Sequence, residues 1–322
     1  ISSGIIKPVW RFACEDEIRG SVTYSDGRLF VPSYDSNIYA LDAEDGEFIW
    51  KYPTEDGVAS KPWVSDGMVV FGSIDKLVYA VDVEIGELLW TAPTKGRIYS
   101  SPYGRFGHIF IGSDDHRIYA IHQGSGREAW TYPTDGEVRA RPLITEDAIF
   151  FSCQRGVVYS LNLNSELRWR FRARRGILAS PVVSEGYVFI GAMDRNFYAL
   201  DIRSGWAAWR YRAGGVIAST AVVHDDLVFF GTADNYIYAL DVQSGRVVWR
   251  HETGDQVTGS PSVYKGNVYI GGVDGALYCL EAKSGDLHWQ YQTDGPITGA
   301  PEIVDDVVYF GSSDHYVYAL PA

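Results

Sequence analysis

Val58-Ala59-Ser60-Lys61-Pro62, Met68-Val69-Val70-Phe71-Gly72, Leu77-Val78-Tyr79-Ala80-Val81 and Leu88-Leu89-Trp90-Thr91-Ala92 are four strand-length segments in succession. Between them lie Ser65-Asp66-Gly67, Ser73-Ile74-Asp75-Lys76 and Glu84-Ile85-Gly86, which carry the Gly and Asp chemistry that reverses a chain between antiparallel strands. The stretch predicts a four-stranded meander with Val58–Pro62 as its innermost strand. Such a sheet has two apolar faces and cannot bury both alone.

The same unit recurs along the whole chain. Trp10, Trp50, Trp90, Trp130, Trp169, Trp209, Trp249 and Trp289 stand 40 residues apart except for one step of 39. Tyr39, Tyr79, Tyr119, Tyr159, Tyr198, Tyr238, Tyr278 and Tyr318 keep the same spacing, with the short step in the same repeat. Eight meanders set radially bury each face against a neighbour, so the expected fold is an all-β, eight-bladed β-propeller. The chain starts with a lone fourth strand around Trp10-Arg11-Phe12 and stops after a third strand, Tyr318-Ala319-Leu320. The N-terminal strand should therefore complete the last blade. One domain over 1–322 is expected, with blades at about 17–54, 57–94, 97–134, 137–172, 176–212, 215–252, 256–292, and 296–322 joined by 5–14.

Bulk composition agrees. Among 322 residues are 22 Tyr, 10 Trp and 34 Gly but only 2 Met, which suits short strands and tight turns. A formal charge of −13 disfavours nucleic-acid and anionic-membrane partners. The three cysteines, Cys14, Cys153 and Cys279, do not form a disulfide framework, so they select no compartment. The start Ile1-Ser2-Ser3-Gly4 is neither a Met start nor a signal peptide and suggests a mature chain or an excised domain.

The segment Ala40-Leu41-Asp42-Ala43-Glu44-Asp45-Gly46-Glu47-Phe48-Ile49-Trp50 resembles the tryptophan-docking motif A-x-D-x-x-x-G-x-x-x-W of pyrroloquinoline-quinone-type propellers. It recurs at Ala80 to Trp90, Ala199 to Trp209 and Ala239 to Trp249. The resemblance implies that each ladder tryptophan packs on the adjoining blade and that the Asp and Gly shape the turn. Departures occur at His122, Asn162 and Glu281 in the Asp position, and the fourth unit has Ser165 with one residue deleted. Quinoprotein dehydrogenases of this resemblance stack their quinone on a vicinal Cys-Cys disulfide and bind calcium through a carboxylate set. Neither is recognisable here, and no cofactor is expected.

Sequence motifs for other chemistry are missing as well. No H-E-x-x-H, C-x-x-C, G-x-S-x-G or G-x-x-x-x-G-K-[ST] occurs, so zinc, hydrolase and nucleotidase readings have no anchor and no metal is expected. Asp35, Asp75, Asp115, Asp194, Asp234, Asp274 and Asp314 recur in the second turn of seven units, where Asp accepts local backbone hydrogen bonds.

Equivalent positions in eight units share one structural task, so an outlier needs its own reason. The fourth unit is that outlier: Arg155 replaces the turn Asp, and its exit loop reads Arg174-Arg175. From Glu137 to Gly176 eight Arg face four acids, a net +4. Arg139, Arg141, Arg155, Arg174, Arg175 and the next blade's Arg195 form the candidate site for an anion or acidic partner, since guanidinium groups suit bidentate capture of carboxylate or phosphate. Arg168, Arg170 and Arg172 lie on the outer strand, as do Lys51, Arg210 and Arg250, and are discounted as ordinary surface residues.

Before the recurring Pro the units read Ser21, Lys61, Ser101, Arg141, Ser180, Thr220, Ser260 and Ala300. Small residues allow close approach around the axis. Lys61 and Arg141 break that rule, as do Arg19, Tyr99 and Arg139 two residues earlier in their units. These line a polar channel mouth or pair with acidic loops such as Glu15-Asp16-Glu17. Trp206, after the hairpin glycine Gly205, is either a protein contact or folds onto a neighbouring blade.

The expected function is a non-catalytic binding or scaffold propeller for a protein, a peptide or a small anionic ligand, without direct membrane insertion and possible within a multidomain chain. Similar propellers serve in outer-membrane β-barrel assembly and as sensor domains of bacterial serine/threonine kinases. The alternative is a pyrroloquinoline-quinone-dependent oxidoreductase or its degenerate relative.

Overall fold

The computed structural model describes residues 5–322; Ile1 to Gly4, and the reading of them above, lie outside the described residues. Eight four-stranded antiparallel sheets form an eight-bladed propeller, and no helix occurs among the described residues. In the second blade the strands are Trp63–Ser65, Met68–Gly72, Leu77–Asp82 and Leu88–Pro93, in that order from axis to rim. The last blade joins Glu302–Val304, Val307–Gly311 and Tyr316–Pro321 to the N-terminal strand Trp10–Ala13, with Trp10 opposite Ala319 and Ala13 opposite Tyr316. The predicted closure is present.

The innermost strand differs from the expectation. Val58–Pro62 is not in a strand; the ladder starts three residues wide at Trp63. Pro62 has no N–H to give to a ladder. The preceding backbone bonds to its neighbours instead: Val58 N–H donates to the Ser33 carbonyl of the first blade, and Lys61 N–H to the Ser101 hydroxyl of the third. The segment therefore stitches blades together around the axis.

Between blades the core is apolar and continuous. Met68, Val70 and Trp90 of the second blade pack with Ile109, Ile111 and Tyr119 of the third, and comparable clusters fill the other seams. Six ladder tryptophans dock as the motif implies. The Trp90 ring lies on Gly126 and its indole donates to the Gln123 carbonyl at 2.8 Å. Trp10, Trp50, Trp169, Trp209 and Trp249 repeat this on Gly46, Gly86, Gly205, Gly245 and Gly285. Each receiving glycine has φ between 68° and 77°, and a Cβ there would fall within 3 Å of the indole, so only glycine fits both demands. Trp130 and Trp289 make no such bond among the described residues. The fourth blade has lost the glycine by deletion, and the eighth takes its outer strand from the other end of the chain.

Candidate functional site

The turns between second and third strands and the loops leaving each outer strand share one face. The turn aspartate ties them together. Asp75 accepts from the Tyr79 hydroxyl at 2.5 Å, from Leu77 N–H and, across the loop, from Glu55 N–H. The Tyr–Asp bond recurs in seven blades, closing Tyr39–Asp35, Tyr119–Asp115, Tyr198–Asp194, Tyr238–Asp234, Tyr278–Asp274 and Tyr318–Asp314. Burial, helped by the carboxylate, pushes these phenols well above their ordinary range; Tyr278 reaches about 12.

In the fourth blade Arg155 stands where the aspartate belongs. Tyr159 has no carboxylate to donate to, and its oxygen accepts the Asp135 N–H at 2.9 Å in the aspartate's place. The Arg155 side chain lies over Gly136 and is exposed. The next residue, Gly156, lies against the Arg175 carbonyl, so Arg155 and Arg175 adjoin along the rim. Arg174, Arg175 and Arg195 are also exposed and surround a shallow cavity of about 270 Å³ together with Arg212. Arg210 joins Arg174 and Arg212 around a smaller neighbouring hollow. Among the described residues the only carboxylate lining these hollows is Asp194, which is buried and already accepts from the Tyr198 hydroxyl and the backbone N–H groups of Asn196 and Arg174. Among the described residues no salt bridge engages Arg155, Arg174, Arg175, Arg195, Arg210 or Arg212. The rim is a sector of net positive charge.

Arg139 and Arg141, grouped with this rim in the sequence reading, do not line these hollows. Arg139 is held by a two-pronged pair with Asp114 at 2.8 Å, and it stacks over Tyr99 at 4.3 Å. The Asp114 hydrogen bond holds its guanidinium above its ordinary range. Arg19 pairs with Glu17 and covers the Tyr34 ring, the acidic-loop alternative weighed above. Trp206 is 78% exposed and does not fold onto a neighbour. Arg168 and Arg172 lie near Asp147 and Asp135. Sequence reasoning passed over Arg212 and discounted Arg210, because outer-strand residues normally face solvent; both line these hollows.

Arg141 lies in an axial cavity of about 330 Å³ bordered by all eight residues of the pre-proline ring. That ring is a hydrogen-bonded girdle. The backbone N–H groups of Lys61, Arg141, Ser180, Thr220 and Ala300 donate to Ser101, Ser180, Thr220, Ser260 and Ser21 of the following blade, at 2.8 to 3.0 Å. The three gaps fall where the receiving residue is Lys61, Arg141 or Ala300, none of which offers a hydroxyl. Lys61 is paired with Glu302 at 3.0 Å. A quinone with calcium does not fit this cavity: among the described residues no carboxylate and no cysteine lines it, and Glu302, which pairs with the lining Lys61, is engaged. Cys14 and Cys279 are buried, which pushes their thiols up to about 12 and about 11.

Comparison with known structures places the fold. BamB from Moraxella catarrhalis is 16% identical, with a TM-score of 0.85 over 99% of this chain and 100% of that one. The computationally designed Ika8 protein is 17% identical at a TM-score of 0.85, covering 96% and 98% of the two chains. A europium-containing methanol dehydrogenase is 13% identical at 0.83, covering 98% and 93%. Identities this low carry the propeller fold alone. No curated protein matches the sequence. The family model described as outer membrane protein assembly factor BamB matches residues 7–101, 94–165, 114–262 and 233–322. With its eight blades and docked tryptophans, the chain belongs to that family of PQQ-type propeller repeats.

Proposed function

We propose that the chain is a non-catalytic binding propeller that recognises an acidic segment of a protein partner at the arginine rim of its fourth and fifth blades. One observation carries the reading. Seven blades use an aspartate to tie turn, tyrosine and exit loop together, and the fourth replaces it with an exposed arginine beside further exposed arginines. The exchange removes a charged acceptor from a repeated tie, a cost that a binding role offsets. Exposed guanidiniums, planar and always charged, suit carboxylates of a partner segment. Family membership supports a protein partner, because the family is described by an assembly factor.

A fluorescent glutamate-rich peptide titrated into the whole chain tests this. The triple variant R155S/R174S/R175S should bind about tenfold or more weakly, through loss of charge-assisted bonds, with an unchanged melting temperature. Equal binding by the variant sinks the rim assignment. The non-catalytic half has a separate test by calorimetry: tight uptake of pyrroloquinoline quinone with calcium overturns it.

A further inference from the structure

Among the described residues, Arg141 is the one strongly basic side chain lining the axial cavity without a salt-bridge partner. Its Nε is shielded from solvent and meets no hydrogen-bond acceptor among the described residues. Its guanidinium carbon lies 4.9 Å from the Tyr103 ring centre and 5.4 Å from that of Trp63, two rings that pack 5.1 Å apart. Burial lowers the guanidinium's pKa, yet arginine stays charged in proteins. A partly desolvated cation that packs on two aromatic faces, with the nearby Glu302 already committed to Lys61, is incompletely compensated. Lys61 and Glu302 neutralise one another beside it, so the cavity carries a single net positive charge.

The rest of the lining describes the ligand's body. Pro142, Leu143, Pro181, Val182 and Val183 form an apolar arc beside the guanidinium, while the ring hydroxyls of Ser21, Ser101, Ser180, Thr220 and Ser260 each accept one girdle N–H and keep an O–H to donate. The volume, about 330 Å³, falls at the small end of ligand pockets, which start near 300 Å³. We infer that the axial cavity is a binding site for a small amphiphilic monocarboxylate, its carboxylate on Arg141 and its apolar body against the Pro142 to Val183 arc. The charge balance selects one carboxylate over several. The site is separate from the acidic-segment rim, which involves none of these residues, and stands or falls without it.

Benzoate and hexanoate are suitable probes, with benzamide as the uncharged counterpart of benzoate. Titration calorimetry on the whole chain should give saturable one-to-one binding of a carboxylate probe and none of benzamide. Trp63 is one of two tryptophans outside the docking ladder, so its fluorescence should change over the same range. R141Q should weaken binding at least about tenfold, whereas R155S/R174S/R175S should leave it intact. Should R141Q fail to fold, the benzoate and benzamide pair on the native chain still decides. No saturable binding of either carboxylate at millimolar concentration, equal binding of benzamide, or unaltered binding by folded R141Q overturns the site.

Discussion

At the scale of single residues, the fourth blade sets a local stabilising bond against a surface charge. Asp115 or Asp274 holds a tyrosine and an exit-loop N–H through one carboxylate oxygen. Arg155 gives this up, and Tyr159 accepts a single N–H instead. R155D should restore both bonds. A hydrogen bond to a charged group is worth about 1.5 to 3 kcal/mol, and part of it offsets the desolvation of the new carboxylate, so a net gain of about 1 kcal/mol is expected. For a chain of this size that raises the melting temperature by about 2 °C. The same variant should bind the glutamate-rich peptide more weakly than the native chain. Thermal melts and anisotropy on one preparation check both; a variant less stable than the native chain refutes the tie as a stabilising element. This residue was legible because seven equivalents gave an internal standard. Arg212 and the Arg141 shelf were not, since Trp63, Tyr103 and Arg141 belong to three successive units and meet only when the ring is built.

At the scale of elements, the two ladders counted the eight blades, and in the second blade three of the four strands follow the apolar segments closely. The innermost was misread for a physical reason. Val58–Pro62 has the alternation of a strand, but its N–H groups bond to adjacent blades, and the true inner strand is only three residues long, too short for alternation to show. The deletion at Ser165 was also legible, and its consequence is specific. Trp90 docks on Gly126 with an indole hydrogen bond, while Trp130 faces a blade without the glycine. W90F should therefore cost about 2 kcal/mol, from a lost hydrogen bond and a cavity over Gly126. W130F should cost under about 1 kcal/mol, since it loses only packing. Guanidinium denaturation of the two variants compares them directly. Equal losses would mean that the glycine seat adds nothing to the tryptophan ladder.

At the scale of the whole molecule, stability depends on closing a ring whose ends are some 300 residues apart. The N-terminal strand pairs with Tyr316–Pro321, Cys14 N–H donates to the His315 carbonyl, and Trp10 reaches the Ala43 carbonyl of the first blade at 3.0 Å. Tyr309 of the last blade donates to that same carbonyl, so the Trp10 indole and the Tyr309 hydroxyl meet at one seam. Removing this strand strips the outer edge from the last blade and uncovers the apolar cluster shared by Trp10, Leu29, Val31 and Tyr309. Loss of a buried tryptophan alone costs about 3 to 5 kcal/mol, which corresponds to about 6 to 10 °C in a chain of this length. Deleting residues 1–13 should lower the melting temperature by at least that amount. A synthetic peptide covering residues 5–14 should restore it in proportion to the logarithm of peptide concentration, because it binds only the folded ring. A melting temperature insensitive to the deletion would show that seven complete blades and a truncated eighth hold the ring without the N-terminal strand. Deletion loss without rescue in trans would instead place the stabilisation in the covalent link that holds both ends together, since tethering raises the strand's effective concentration to the millimolar range.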